Sequence, residues 1–107
     1  MSATINIQSV NCRNASALIE DPSIKVLDVR TPVEFEEKHI AGSKLHPLDQ
    51  IEKGLSQLSK DDHHLLICLA GKRAQQAAEK LAAAGFEKLT VMEGGVAAWE
   101  QAGLPLN

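Results

Sequence analysis

Apolar residues gather in three short, nearly unbroken runs, at Ile24 to Val29, Leu65 to Ala70 and Leu89 to Met92. Runs of this length without polar alternation fit strands covered on both faces. Between them the period changes to that of a helix. Ala74, Ala77, Ala78, Leu81 and Ala82 recur at i, i+3, i+4, i+7 and i+8, and Gly85 follows as a stop. Thr31-Pro32-Val33-Glu34 has capping-box spacing with proline at the first helical position, which predicts a short helix to about Lys38. Asn11 is the expected cap of an earlier helix through Ile19. Residues 48–58 carry a weaker helical pattern through Leu48, Ile51, Leu55 and Leu58, interrupted by Gly54. Val96 and Trp99 predict a last short helix before Gly103-Leu104-Pro105, with Trp99 in the core. Buried strands alternating with helices give an α/β fold with a parallel sheet, because parallel strands need crossovers and the crossovers supply the covering helices.

A chain of 107 residues, 44% apolar and 23% charged, fits one globular domain spanning 1–107 and neither a disordered nor a fibrous protein. The net charge of -3 argues against a nucleic-acid partner, so the basic residues must be judged locally. Cys12 and Cys68 are too few and too far apart to frame a small secreted fold, and a reducing, cytoplasmic setting is expected. Residues Met1 to Asn6 lack the charged-then-apolar pattern of a signal peptide. No run approaches the roughly 18 apolar residues of a membrane span.

The candidate chemistry lies in Leu65-Leu66-Ile67-Cys68-Leu69-Ala70-Gly71-Lys72-Arg73, a buried strand running into a cationic turn and then a helix. In parallel sheets ligands bind beyond the strand C-termini, which is where Cys68 falls. A cysteine there is by default a small hydrophobe. The following loop changes that balance, since a turn closing on a helix leaves backbone N–H groups without intrahelical partners, and these stabilise a thiolate or an oxyanion. Gly71-Lys72 is a poor match to a phosphate-binding P-loop, which needs glycine at position 66 and Ser or Thr at position 73, where Leu66 and Arg73 stand. A redox Cys-x-x-Cys is absent because position 71 is glycine.

These residues resemble the rhodanese family, specifically its single-domain members, in which a cysteine opens a six-residue loop that here reads Cys68-Leu69-Ala70-Gly71-Lys72-Arg73. The resemblance extends to Asp28-Val29-Arg30 with Pro32, Glu34 and Phe35, to His39-Ile40-Ala41-Gly42, and to Glu93-Gly94-Gly95 followed by Trp99 and Gly103-Leu104-Pro105. It implies a three-layer α/β/α fold with a five-stranded parallel sheet. It also implies a thiosulfate sulfurtransferase in which Cys68 carries a persulfide and passes sulfur to cyanide or a thiol, a protein acceptor included. The backbone N–H groups of Leu69, Ala70, Gly71, Lys72 and Arg73 would hold the sulfur, with Lys72 and Arg73 attracting the dianionic donor. Related dual-specificity phosphatases carry one more residue between cysteine and arginine than the four found here, so sulfur transfer is expected over phosphate hydrolysis. An alternative on the same residues is a sulfur carrier with little turnover on free thiosulfate. The chain departs from the family pattern at Lys38, where glycine is usual, at Leu45-His46, where Asn-Ile is frequent, and at Ala74, where Ser or Thr is common.

Asp28 and Arg30, at the end of a predicted strand, either touch the substrate or brace the loop, and bracing by contacts from Arg30 to carbonyls and Glu34 is the preferred reading. His39 is read the same way. The four histidines His39, His46, His63 and His64 lack zinc-site spacing, so no metal and no cofactor is expected, and His63-His64 is read as a polar strand entry. Gly94-Gly95 reads as a tight turn into the last helix, and Cys12 as a packed thiol rather than one that resolves a persulfide on Cys68.

Overall fold

The computed structural model describes residues 7–107, and the stretch read above for a signal peptide lies outside them. Five parallel strands, β1 (Ile7–Val10), β2 (Ile24–Asp28), β3 (Lys44–Leu45), β4 (His63–Ile67) and β5 (Leu89–Met92), form one sheet in the order β1-β5-β4-β2-β3. The connections carry α1 (Cys12–Ile19), α2 (Pro32–Glu37) and α3 (Lys72–Ala83), and α4 (Gly95–Gln101) follows β5. This is the mixed α/β architecture expected, with helices flanking the sheet.

β4 and β5 occupy interior positions, which explains their apolar runs. Alternation along β4 sends Leu66, and Cys68 just beyond it, to one face, where they meet Ala74, Ala77, Ala78 and Leu81 of α3. Leu65 and Ile67 point the other way, into a cluster with Ala15 of α1 and Val96 and Trp99 of α4. Alanines on the buried stripe of α3 let that helix lie close on the sheet. Trp99 is in the core, as expected, and its Nε1 donates to the Pro105 carbonyl at 2.8 Å.

Two expectations need correction. The strand predicted to reach Ala70 ends at Ile67, because the chain turns at Cys68 toward α3 and leaves the ladder. Residues 48–58 form two single 3₁₀ turns, Leu48–Gln50 and Leu55–Gln57, rather than one helix, since Gly54 interrupts the propagation that a helix needs. The edge strands β1 and β3 had no counterpart in the apolar pattern. β1 is four residues with two polar ones, Gln8 and Ser9, and β3 is two residues long. The other boundaries agree closely: Asn14 N–H donates to the Asn11 side chain at 2.8 Å, and Thr31 and Glu34 form the capping box reciprocally.

Leu66 is fully buried at the centre of the sheet. Truncation by Leu66→Ala is expected to lower unfolding stability by about 3 kcal/mol, read as a reduced urea midpoint with an unchanged m-value.

Candidate active site

The end of β4 places Cys68 beside the end of β2, since Asp28 pairs with Ile67 and Val29 N–H donates to the Ile67 carbonyl at 2.8 Å. Cys68 is 1% exposed, and its Sγ accepts the Gly71 N–H at 2.9 Å. Gly71 takes φ +107°, a left-handed conformation natural to glycine, and so turns the chain sharply into α3. Among the described residues no side chain caps α3. The N–H groups of Lys72, Arg73 and Ala74 in its first turn are therefore left to whatever occupies the loop, at the positive end of a 12-residue helix.

A second helix terminus holds the loop from behind. Val96 N–H donates to the Cys68 carbonyl at 2.8 Å, and Ala97 N–H to the Leu69 carbonyl at 3.0 Å. In a trans peptide C=O and N–H point in opposite directions. With those two carbonyls fixed toward α4, the N–H groups of Leu69 and Ala70 face away from it. The approach is backbone on backbone: a Cβ on Gly95 would collide with the Cys68 carbonyl oxygen and the Leu69 carbonyl group. One on Gly94 would lie 2.6 Å from the Ala98 Cβ. Gly94-Gly95 is thus more than the tight turn read from the sequence, and the adjacent glycines after a strand were the available signal for it.

Arg73 and Glu34 form a bidentate pair, Nη1 to Oε1 at 2.8 Å and Nη2 to Oε2 at 2.9 Å. Glu34 also accepts the Thr31 N–H at 3.0 Å and the Thr31 hydroxyl at 3.1 Å. The hydrogen bonds from Arg73 dominate, partial burial opposes them, and Thr31 adds to them, so the Glu34 carboxyl is lowered from its usual 4.5 to about 2. The guanidinium is held more firmly charged, chiefly by Glu34, with smaller contributions from Cys68 and Asp28. Lys72 is exposed.

Contrary to the expectation from the sequence, Glu34 pairs with Arg73 and not with Arg30. Arg30 folds back on Asp28, its Nε and Nη2 donating to the two carboxylate oxygens at 2.8–3.1 Å. Positions two apart at a strand end share one side, and this brings the pair together. Both residues are buried, at 0% and 2% exposure, and Nη2 also donates to the Lys38 carbonyl at 2.7 Å. His39 stacks on Phe35 at 3.9 Å between ring centroids, and its Nδ1 lies 2.8 Å from the Phe35 carbonyl. Its backbone exchanges two hydrogen bonds with Asn107. Cys12 opens α1, with its Sγ 3.9 Å from the Ala98 carbonyl, and Ala74 is fully buried where α3 meets the sheet. The other histidines lie away from Cys68: His63 bonds to Thr90, His64 to the Ser59 carbonyl, and His46 lines a groove together with His64.

A wide concavity lies elsewhere. A groove of about 940 Å³ runs past Ile24, Lys25, Lys44, Leu58, Asp62 and His64, and no residue from 68 to 73 lines it. It exists because the short β3 pairs with only Leu27 and Asp28, leaving the start of β2 without a strand on that side.

Fold and site together define a class of parallel α/β proteins with a buried thiol at the C-terminal end of the central strand, in a loop that runs straight into a helix. The family profile described as "Rhodanese-like domain" matches residues 12–102, and the chain belongs to that family. It is 31% identical over 99 residues to the thiosulfate sulfurtransferase GlpE of Vibrio cholerae, covering 92% of each chain. It is 35% identical over 79 residues to the putative sulfur carrier protein YrkF of Bacillus subtilis, covering 74% of this chain and 43% of that protein, so it spans less than half of that curated relative. The crystal structure of a rhodanese-related protein from Thermoplasma volcanium superposes with a TM-score of 0.83 at 31% identity, over 94% of this chain and 97% of that one. No helix among the described residues is long and apolar enough to cross a membrane.

Two outcomes follow from this geometry. Gly95→Ala adds both left-handed strain and a backbone collision, whereas Gly42, at φ +89°, faces open space. Gly42→Ala is expected to cost about 1 kcal/mol and Gly95→Ala about 3 kcal/mol or more, with faster amide exchange at Val96 and Ala97 only in the latter. Glu34 has a depressed folded-state value, so its stabilisation is complete above pH 4.5 and is lost as pH falls toward 2. In chemical denaturation across that window, wild-type stability should fall more steeply than that of Glu34→Gln.

Proposed function

We propose that the protein transfers sulfane sulfur through a persulfide on Cys68. The observation that carries this reading is the 2.9 Å hydrogen bond from Gly71 N–H to the Cys68 sulfur, in a loop whose Leu69 and Ala70 N–H groups face away from α4 and which runs into the uncapped first turn of α3. In the forward step the Cys68 thiolate attacks the outer sulfur of a donor. With thiosulfate, the S–S bond breaks, sulfite leaves with the bonding pair, and Cys68 is left as a persulfide anion. Cyanide or a thiolate then takes the terminal sulfur and restores the Cys68 thiolate. No oxidant enters at either step. The inward N–H groups stabilise the terminal sulfur electrostatically, as an oxyanion hole stabilises oxygen. Asp28, Arg30 and His39 act as supports of the loop and of α2 in this scheme. Protein acceptors are compatible with the 43% exposure of Leu69 beside Cys68.

A carrier role, in which Cys68 accepts sulfur from a partner and turns over free thiosulfate poorly, is a second reading. It is favoured by the similarity to the relative named a putative sulfur carrier.

Incubation with thiosulfate should add about 32 Da, one sulfur atom, to the intact protein. Cyanide should remove it and release thiocyanate, and Cys68→Ser should show neither change. Sustained thiocyanate production marks the enzyme. Stoichiometric loading without turnover marks the carrier, and absence of any adduct from thiosulfate or an alkyl persulfide rejects both.

A further inference from the structure

Both loop cations were expected to draw in a dianionic donor, yet among the described residues only one of them is uncompensated. Arg73 presents two N–H groups to a carboxylate in the fork geometry it would otherwise offer to an oxyanion. Glu34 is fixed in that position twice over, since Thr31 donates to it through its N–H and its hydroxyl. Lys72 is exposed, and the buried Asp28–Arg30 pair adds no net charge. With Cys68 as thiolate, the charges of Cys68, Glu34, Lys72 and Arg73 cancel. A doubly charged donor therefore meets loop side chains with no net formal charge, and the second charge that thiosulfate carries over a singly charged donor gains no attraction from them.

We propose that Glu34 is a specificity-determining, positioning residue that occupies the anion-binding edge of Arg73 and so biases Cys68 toward persulfide donors carrying one charge over dianionic thiosulfate. This rests on the sulfur-transfer reading above. In the favoured step the Cys68 thiolate attacks the terminal sulfur of an alkyl persulfide anion, R–S–S⁻. The S–S bond breaks, R–S⁻ departs with the bonding pair, and Cys68 becomes the persulfide anion, with charge conserved and no further reactant.

The test is the rate at which the whole protein gains one sulfur in a quenched single turnover, read by intact mass, with thiosulfate and with 2-hydroxyethyl persulfide as donors. Glu34→Gln is expected to raise the loading rate from thiosulfate about fivefold more than that from the alkyl persulfide at low salt, and to make the thiosulfate rate fall more steeply with added salt. Glu34→Asp, which keeps the charge, should show no such gain, and Arg73→Ala placed on Glu34→Gln should abolish it. A purely structural role for Glu34 would move both donors together, and that result overturns the proposal. A measurement on the wild type stands beside the variants: its thiosulfate loading should change less than about twofold between low and physiological salt, and a steep fall there also overturns the proposal. Loading of the wild type by both donors with unchanged selectivity in the variants defeats this inference alone. Loading by neither donor defeats the sulfur-transfer reading and this inference with it.

Discussion

The structure depends on one constraint, the fixed opposition of C=O and N–H within each peptide plane. Once α4 takes the carbonyls of Cys68 and Leu69, at 2.8 and 3.0 Å, the next two N–H groups have no choice but to face the other way. Sheet order makes this possible. β4 and β5 are adjacent and parallel, so the helices that follow them begin at the same sheet edge. Each helix start carries unpaired N–H groups that must be satisfied. α4 satisfies two of them on the loop, while the first turn of α3 keeps its own for the site. Glycine at position 95 follows directly, because two backbones in contact leave no space for a Cβ.

A relay of charged contacts completes the frame. Asp28, at the end of β2, holds Arg30; Arg30 holds the Lys38 carbonyl at the end of α2; α2 presents Glu34; and Glu34 holds Arg73 at the start of α3. A buried ion pair such as Asp28–Arg30 contributes little net stability over an apolar pair of the same shape, yet leaving one partner alone is costly. Its value here is positional. It ties the end of α2 to the sheet, and through Glu34 that placement reaches the mouth of the cysteine loop.

Much of this was legible in the chain. The interior strands announce themselves by apolar runs, α3 by its alanine stripe, α2 by a capping box that the structure reproduces bond for bond. What escaped has a common physical cause. β1 and β3 are edge strands too short for a period to develop, and their pairing is decided by neighbours distant in sequence. The break at Gly54 was visible, but not that the segment would settle as two isolated turns. At the site, Cys68 and its loop could be read because the chemistry lies in consecutive residues. The partner of Glu34 could not, since Arg30 at four residues and Arg73 at 39 are equally good donors until the sheet sets their directions.

On the proposed chemistry, the separation between the groove and Cys68 agrees with the size of what the site handles. A groove of about 940 Å³ suits a ligand with extended surface, and it forms wherever a strand edge is left uncovered. A single sulfur atom has almost no surface to bury, so shape contributes little to holding it. Its negative charge is what the protein must recognise, and charge on one atom is stabilised by donors converging within hydrogen-bond distance. That demand is met by backbone geometry at a buried turn, with Gly71 N–H already on the sulfur and the first turn of α3 beyond it. On the proposed chemistry, convergent N–H groups rather than volume mark the place where the reaction occurs.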